Sequence, residues 1–396
     1  MVGLDRRAFL GAIGVTAAGS LLLAACGGPS APPPPAAAPA SGPAPAPPPA
    51  NAPFFVGTYT DGEGAGKGIG VGTWATANGQ ATLTGVVPVS NPSFLALGPG
   101  DKVLYAVDEQ EDGGVSALAV SGGQLTLINR ESSKGAGPTH LCVHPSGHYV
   151  LAANYDSGSV VALPVRPDGG LGPATDVAQH TGSGPDKDRQ EGPHAHQIVP
   201  APAGGYLHAV DLGTDTIYAY QLDDASGRLT PRGEVKLRAG SGPRHLAFHP
   251  NGRFAYVTTE LGNTVVTCAY ANGVLTPGKE QPATVPSAPS AGGERNYPAE
   301  VVVSSDGRFV YVSNRGADNI TVFAVGADGQ LTPSSTTPCG GKYPRYIGLA
   351  RGGDFLFSTN QKSDTVTSFA VDRSTGALTS VGKPLASPMP VCALAL

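Results

Sequence analysis

From about residue 53 to its C-terminus the chain repeats one pattern: a short apolar strand, a tight turn, two further strands and a hairpin into a fourth. The clearest copy is Leu246-Ala247-Phe248, the turn His249-Pro250-Asn251-Gly252, then Phe254-Ala255-Tyr256-Val257, Thr264-Val265-Val266 and the hairpin Gly273 to Thr276. Pro145-Ser146-Gly147, Ser305-Asp306-Gly307 and Gly352-Gly353-Asp354 repeat the turn chemistry, since Gly and Asp accept backbone angles that other residues resist. The first strand recurs at Phe94, His140, His196, His245, Glu300, Tyr346 and Cys392, at intervals of 46, 56, 49, 55, 46 and 46 residues. Four short strands per unit of this period predict the blades of an all-β propeller.

The seventh repeat stops after one strand, Val391-Cys392-Ala393-Leu394-Ala395-Leu396. Its missing strands match Phe54 to Tyr59 and Gly68 to Trp74 at the other end of the chain. The C-terminal strand is therefore expected to join the N-terminal blade and close a ring of seven, which removes the sheet edges that template aggregation. An unbroken repeat argues for one ring at 53–396 in spite of a length of 396 residues.

Composition is most informative at the N-terminus. Asp5-Arg6-Arg7 precedes a Gly/Ala-diluted apolar stretch that ends in Leu23-Ala24-Ala25-Cys26. Paired arginines of this kind resemble a twin-arginine export signal, and Leu-Ala-Ala-Cys resembles a lipoprotein cleavage box. Residues 1–25 are thus expected to be a signal peptide and Cys26 to be lipidated, with 26–52, rich in Pro and Ala, as a tether. The mature protein would sit on the outer face of the cytoplasmic membrane and touch it only through its lipid. Charged residues make up 14% and the net charge is −5 without a basic stripe, which argues against nucleic acid. Cys142, Cys268, Cys339 and Cys392 lack a disulfide spacing and read as buried thiols. A monomer is expected.

In a propeller the first strand of each blade lines the channel and the second runs back, so the start of one and the end of the other share a mouth. The first column holds Ser93, His140, His194, His196, Arg244, His245, Glu300, Arg345 and Tyr346; the second holds Tyr59, Asp108, Glu109, Asn154, Tyr155, Asp211, Glu260, Asn314, Arg315, Asn360 and Gln361. Four of the nine His fall in the first column, against the apolar preference of strands. His194 and His196, two apart on a strand, could hold a divalent metal with Glu260. Arg244 and Arg315 nearby disfavour that, so the reading is one His as acid or base, near its ordinary value of about 6.5, with no metal and no cofactor. Asn154, Asn314 and Asn360 also suit strand ends and turns, and His144 and His249 read as turn residues.

Several segments resemble the seven-bladed propeller lactonase family, which includes propeller-type bacterial 6-phosphogluconolactonases and fungal carboxymuconate-lactonizing enzymes. They are Arg-Gln-Glu-Gly-Pro-His-Ala-His (189–196), Ala-Val-Asp-Leu-Gly-Thr-Asp (209–215), Gly-Pro-Arg-His-Leu-Ala-Phe-His-Pro-Asn-Gly (242–252), Glu-Leu (260–261), Val-Ser-Asn-Arg-Gly (312–316) and Thr-Asn-Gln (359–361). The resemblance implies His196, Arg244, Glu260 and Arg315 as the catalytic set. His194, His245, Asn154, Arg345, Asn360 and Gln361 are expected around them as substrate-binding side chains. A small-molecule lactone with an anionic group is the expected substrate, since guanidinium matches carboxylate or phosphate. A non-catalytic propeller that binds glycan, cell wall or protein through the same mouth is the competing reading, and a muconate-type lactonizing isomerase is a third.

Overall fold

The computed structural model describes residues 50–284 and 295–396. The signal peptide, Cys26 and nearly all of the tether lie outside the described residues; the first strand, Asn51–Thr58, opens two residues ahead of Pro53. Seven four-stranded antiparallel sheets follow one another. In the first blade the C-terminal strand Pro390–Ala395 pairs with Asn51–Thr58, Phe55 opposite Leu394 and Val56 opposite Ala393. Ile69–Ala75 and Ala81–Val87 complete that sheet.

The innermost strands touch one another in cyclic order, and the last of them, Pro390–Ala395, touches the first strand of the second blade, Leu95–Leu97, which closes the ring. Strand alternation explains what fills the gaps. Each middle strand sends one set of apolar side chains to either neighbour, and the core divides into seven clusters, each shared by two adjacent blades. At the closure the single Trp, Trp74, packs edge-on against Phe355 and Phe357 and donates from Nε1 to Leu396 O at 3.1 Å. Each such buried aromatic stabilises the ring by about 1.5–3 kcal/mol. Cys142, Cys268, Cys339 and Cys392 form no disulfide among the described residues, and burial pushes the first three thiols up to about 12.

Polar side chains join the blades at the mouth. Asn314 donates to Ala283 O of the preceding blade and to Asn319 Oδ1 and Thr321 Oγ1 of its own. Asn360 repeats this with Cys339 O, Thr365 Oγ1 and Thr367 Oγ1, and Asn154 with Ser133 O and Ser159 Oγ. Asp211 holds the same place with His180, Nδ1 to Oδ2 at 2.6 Å. Asn154 and Asn360, expected as substrate-binding residues, are therefore fully buried blade joints. At the other end of the first strands, His249 Nε2 meets Gly307 O and His144 Nδ1 meets Ser146 Oγ, both at 2.9 Å, in keeping with turn roles.

Candidate active site

Six of the seven innermost strand pairs carry a register shift at the mouth. Pro243 pairs with Thr259 and His245 with Thr258, which leaves Arg244 as an extra residue. Arg345, Thr139 and His196 are extra in the same way. A bulge breaks the two-residue alternation and re-aims a side chain. Consequently Arg244 and His245, like Arg345 and Tyr346, line one small cavity although they are neighbours in sequence. The second strands supply the rest of the rim from the ends of those strands: Arg315 follows the joint residue Asn314, Tyr155 follows the joint residue Asn154, and Glu260 follows Thr259, which bonds Thr264 within its own blade.

Glu260 is the electrostatic hub. Its Oε2 lies 2.5 Å from Arg315 Nη2 and 3.2 Å from Arg244 Nε, and its Oε1 lies 2.8 Å from Arg189 Nη2. Burial alone would raise its pKa, but the three guanidiniums override this and hold the carboxyl well below the usual range. Arg315 also donates from Nε to Tyr297 O and from Nη2 to Pro298 O and sits over the Tyr343 ring. Arg244 is different. Its Nε is near Glu260 but not aligned for a hydrogen bond, and both Nε and Nη1 are buried without a partner among the described residues. Burial, then Arg315 and Arg345, push it down to about 9, so it stays charged at neutral pH.

Across the mouth, Arg345 lies over the Tyr59 ring at 5.4 Å, and no carboxylate among the described residues pairs with it. Tyr59 donates to Glu109 Oε1 at 3.0 Å, and Ser93 Oγ donates to Glu109 Oε2. Along the channel, His196 and His245 have ring centroids 5.0 Å apart and His140 and His245 5.4 Å. All three imidazoles are driven well below 6.5, first by burial and next by a neighbour: the Arg244 guanidinium for His196 and His245, the His245 ring for His140. The expectation of an imidazole titrating near 6.5 at His196 is corrected accordingly: it is neutral at working pH.

The structure thus brings Arg244, Glu260 and Arg315 into contact and sets His196 beside them, with His245 and Arg345 in the same channel. Gln361 stands at the rim of the last blade with a buried, unpartnered Oε1. His194 departs from expectation. Its ring nitrogens bond Tyr155 O and Glu191 Oε1, both at 3.0 Å, and the ring stacks on Tyr155. The bulge at His196 ends the alternation that would have aimed both rings one way. No group of three metal-ligating side chains converges among the described residues. Arg189 was missed by column reading because it lies on neither strand. Its signal was the 56-residue interval between His140 and His196, ten longer than the shortest, which supplies a loop able to reach Glu260.

Comparison with known proteins now gives the lineage. The family described as "Lactonase, 7-bladed beta-propeller" matches residues 53–395. The chain belongs to that family. It is 37% identical to the 6-phosphogluconolactonase of Bacillus subtilis over 309 residues, 77% of this chain and 87% of that protein. The 6-phosphogluconolactonase of Formosa agariphila is 33% identical over 282 residues, 68% of this chain and 78% of that one. The solved structure of the periplasmic gluconolactonase of Pseudomonas aeruginosa superimposes with a TM-score of 0.79 at 32% identity, over 87% of this chain and 98% of that one. The channel of this lactonase-family propeller thus carries its charged side chains on a scaffold common to these relatives.

Proposed function

We propose that this lactonase opens the ring ester of an anionic, sugar-derived lactone outside the cytoplasm, tethered to the membrane by a lipid on Cys26. One observation carries the anionic substrate: Arg244 and Arg345 face one cavity with charge to spare, Arg244 with two buried donors that meet no acceptor among the described residues. An unsatisfied buried donor costs about 1–3 kcal/mol, more when charged, so an anion that satisfies it binds strongly through a charge-assisted hydrogen bond. The sugar class is supported by the names of the relatives, two of them 6-phosphogluconolactonases and one a gluconolactonase.

Roles divide by what each donor already does. Arg315, bonded to Glu260 and two main-chain carbonyls, keeps Glu260 in place. Glu260, held ionised by three guanidiniums, is a poor proton acceptor and serves to fix the arginines. Arg244, with free donors, is suited to the oxyanion that forms when water attacks the carbonyl. A pH-stat assay over phosphorylated, carboxylated and neutral lactones tests this. Anionic lactones should show the lower KM, and Arg244→Ala should lower turnover by about 100- to 1000-fold with the melting temperature kept. Equal hydrolysis of neutral and anionic lactones would remove the anionic claim, and no hydrolysis at all would hand the mouth to a binding function.

Export and anchoring rest on Arg6-Arg7 and Leu23-Ala24-Ala25-Cys26, and the periplasmic location in the Pseudomonas relative's name is in keeping with them. The protein should fractionate with membranes and become soluble on Cys26→Ala. Recovery of the wild type as an unlipidated soluble species refutes the anchor.

A further inference from the structure

One residue further along the inner strands than Arg244 and Arg345, the channel is lined by imidazole and aromatic rings, and a single carboxylate lies among them. His245 Nδ1 is 2.9 Å from Glu300 Oε1, with the two side chains 2% and 6% exposed. The Val301 amide donates to the same oxygen at 3.2 Å, and the Glu300 main-chain amide donates to Ser313 Oγ at 3.0 Å, which holds the backbone that carries the carboxylate, while Glu300 Oε2 is buried without a partner among the described residues. His245 Nε2, at the far side of the ring, is buried and has no partner among the described residues. The cavity that takes in Arg244 and Arg345 also touches His245 and Glu300.

We propose that His245 is the general base of lactone hydrolysis in this protein and that Glu300 is its positioning residue. The inference rests on the lactonase reading and deepens it. A carboxylate on Nδ1 keeps the proton there, leaves Nε2 as the acceptor, and stabilises the imidazolium once a proton arrives. The other groups in the channel lack this arrangement. Glu260 is bound up with three arginines. His196 and His140 each keep an unpartnered Nδ1 and have no carboxylate bonded to them among the described residues. In the step itself, the oxygen of water bonds to the lactone carbonyl carbon as its proton passes to His245 Nε2. The carbonyl electron pair moves onto oxygen beside Arg244. On collapse the ring C–O bond breaks, and the departing alkoxide oxygen takes the proton back from His245.

The pair carries its own pH signature. Burial raises Glu300 to about 7, against the pull of Arg244, His140 and Arg345. Tyr346 and Cys392 also face it, while His245 sees Arg244, Arg345, Arg315 and Glu260, with His196 and His140 packed beside it. Below that pH the carboxylic acid donates to Nδ1 and drives the ring proton to Nε2, which silences the base; above it Nε2 is free. Activity should therefore rise with pH through about 7.

The test is the kcat/KM pH profile of the full-length wild type, His245→Asn, Glu300→Gln and His196→Asn on the best lactone of the panel, with melting curves for each. His245→Asn should lose about 100- to 10,000-fold, the range of a general base. Glu300→Gln should lose rate and the limb near 7 together, while His196→Asn keeps the limb. Should His245→Asn not fold, Glu300→Gln decides through the limb alone. A wild type that hydrolyses no lactone removes the lactonase reading and this proposal with it. An active wild type whose limb survives Glu300→Gln, or vanishes in His196→Asn instead, overturns this proposal alone.

Discussion

Glu260 and Glu300 come from consecutive blades and are equally buried in one channel, yet their surroundings drive them in opposite directions. Glu260, at the rim, meets three guanidiniums and is held ionised. Glu300, deeper in, meets an imidazole and a main-chain amide, and burial raises its pKa from 4.5 to about 7. The difference shows how a propeller separates holding from reacting. The rim carboxylate organises charge and stays fixed in state, whereas the deeper one is poised to change state within the working range of pH. Pairs of titratable groups pushed apart by their environments are the usual mark of divided acid–base roles.

The comparison breaks most visibly at Glu260. Glu260→Gln leaves Arg244 and Arg315 buried beside each other without their counter-charge, and removal of one partner of a buried pair costs about 3–5 kcal/mol. Because its folded pKa is depressed, the stability that Glu260 contributes is complete above its ordinary 4.5 and is lost as pH falls below that value. Chemical denaturation at pH 8 should therefore show a large deficit for Glu260→Gln that shrinks towards pH 3. An equal deficit at both pH values would mean that the carboxylate's charge is not what holds the rim.

Glu300→Gln should do the reverse. A raised folded pKa gives stability that is full below 4.5 and is lost as pH rises to about 7. The shift from 4.5 to about 7 is worth about 3 kcal/mol, and a neutral amide escapes that loss. Relative to wild type, Glu300→Gln should gain stability between pH 5 and pH 8 while it loses activity, a trade expected where function maintains a strained group. A stability difference that does not change with pH would show that Glu300 is not ionising in the folded protein.

A neighbouring contrast separates site from scaffold. Asn360 and Gln361 are adjacent, but Asn360 Nδ2 reaches three acceptors across a blade joint, whereas Gln361 Oε1 is unpartnered at the rim. Asn360→Ala orphans those acceptors at about 1–3 kcal/mol. It should lower the melting temperature by a few degrees with kcat/KM nearly unchanged. A drop in kcat/KM with the melting temperature kept would return Asn360 to the substrate site.

These contrasts also show what the sequence could disclose. The ring and its closure are legible because turn residues recur at a near-constant interval and the last strand has no partners of its own. Glu260, Arg244, Arg315 and His196 lie in the columns that the two strand ends of a mouth form, and the family resemblance is what singles them out there. What column reading lacks is side-chain direction. Asn154, Asn360 and His194 fall in the right columns and turn into joints or the loop. Glu300 and His245 share a column but pair across two blades, and the bulge that aims Arg244 and His245 the same way leaves no residue signature beyond Pro243 before it.

Arg189 gives the smallest expected effect and the sharpest edge to the rim. It reaches Glu260 Oε1 at 2.8 Å and the Tyr155 hydroxyl at 3.2 Å from the long loop before the fourth blade. Its side chain is 37% exposed, against 3% and 4% for Arg244 and Arg315. Solvent screens such a pair to about 0–1 kcal/mol, so Arg189→Ala should change kcat/KM by no more than about fivefold. Glu260 would still be held by its two buried partners. Because the exposed pair is also the one that salt can screen, the wild type should drift towards the variant as ionic strength rises, and the variant itself should respond little. A loss as large as that of Arg244→Ala, insensitive to salt, would mean that Arg189 meets the substrate and that the rim extends to the loop.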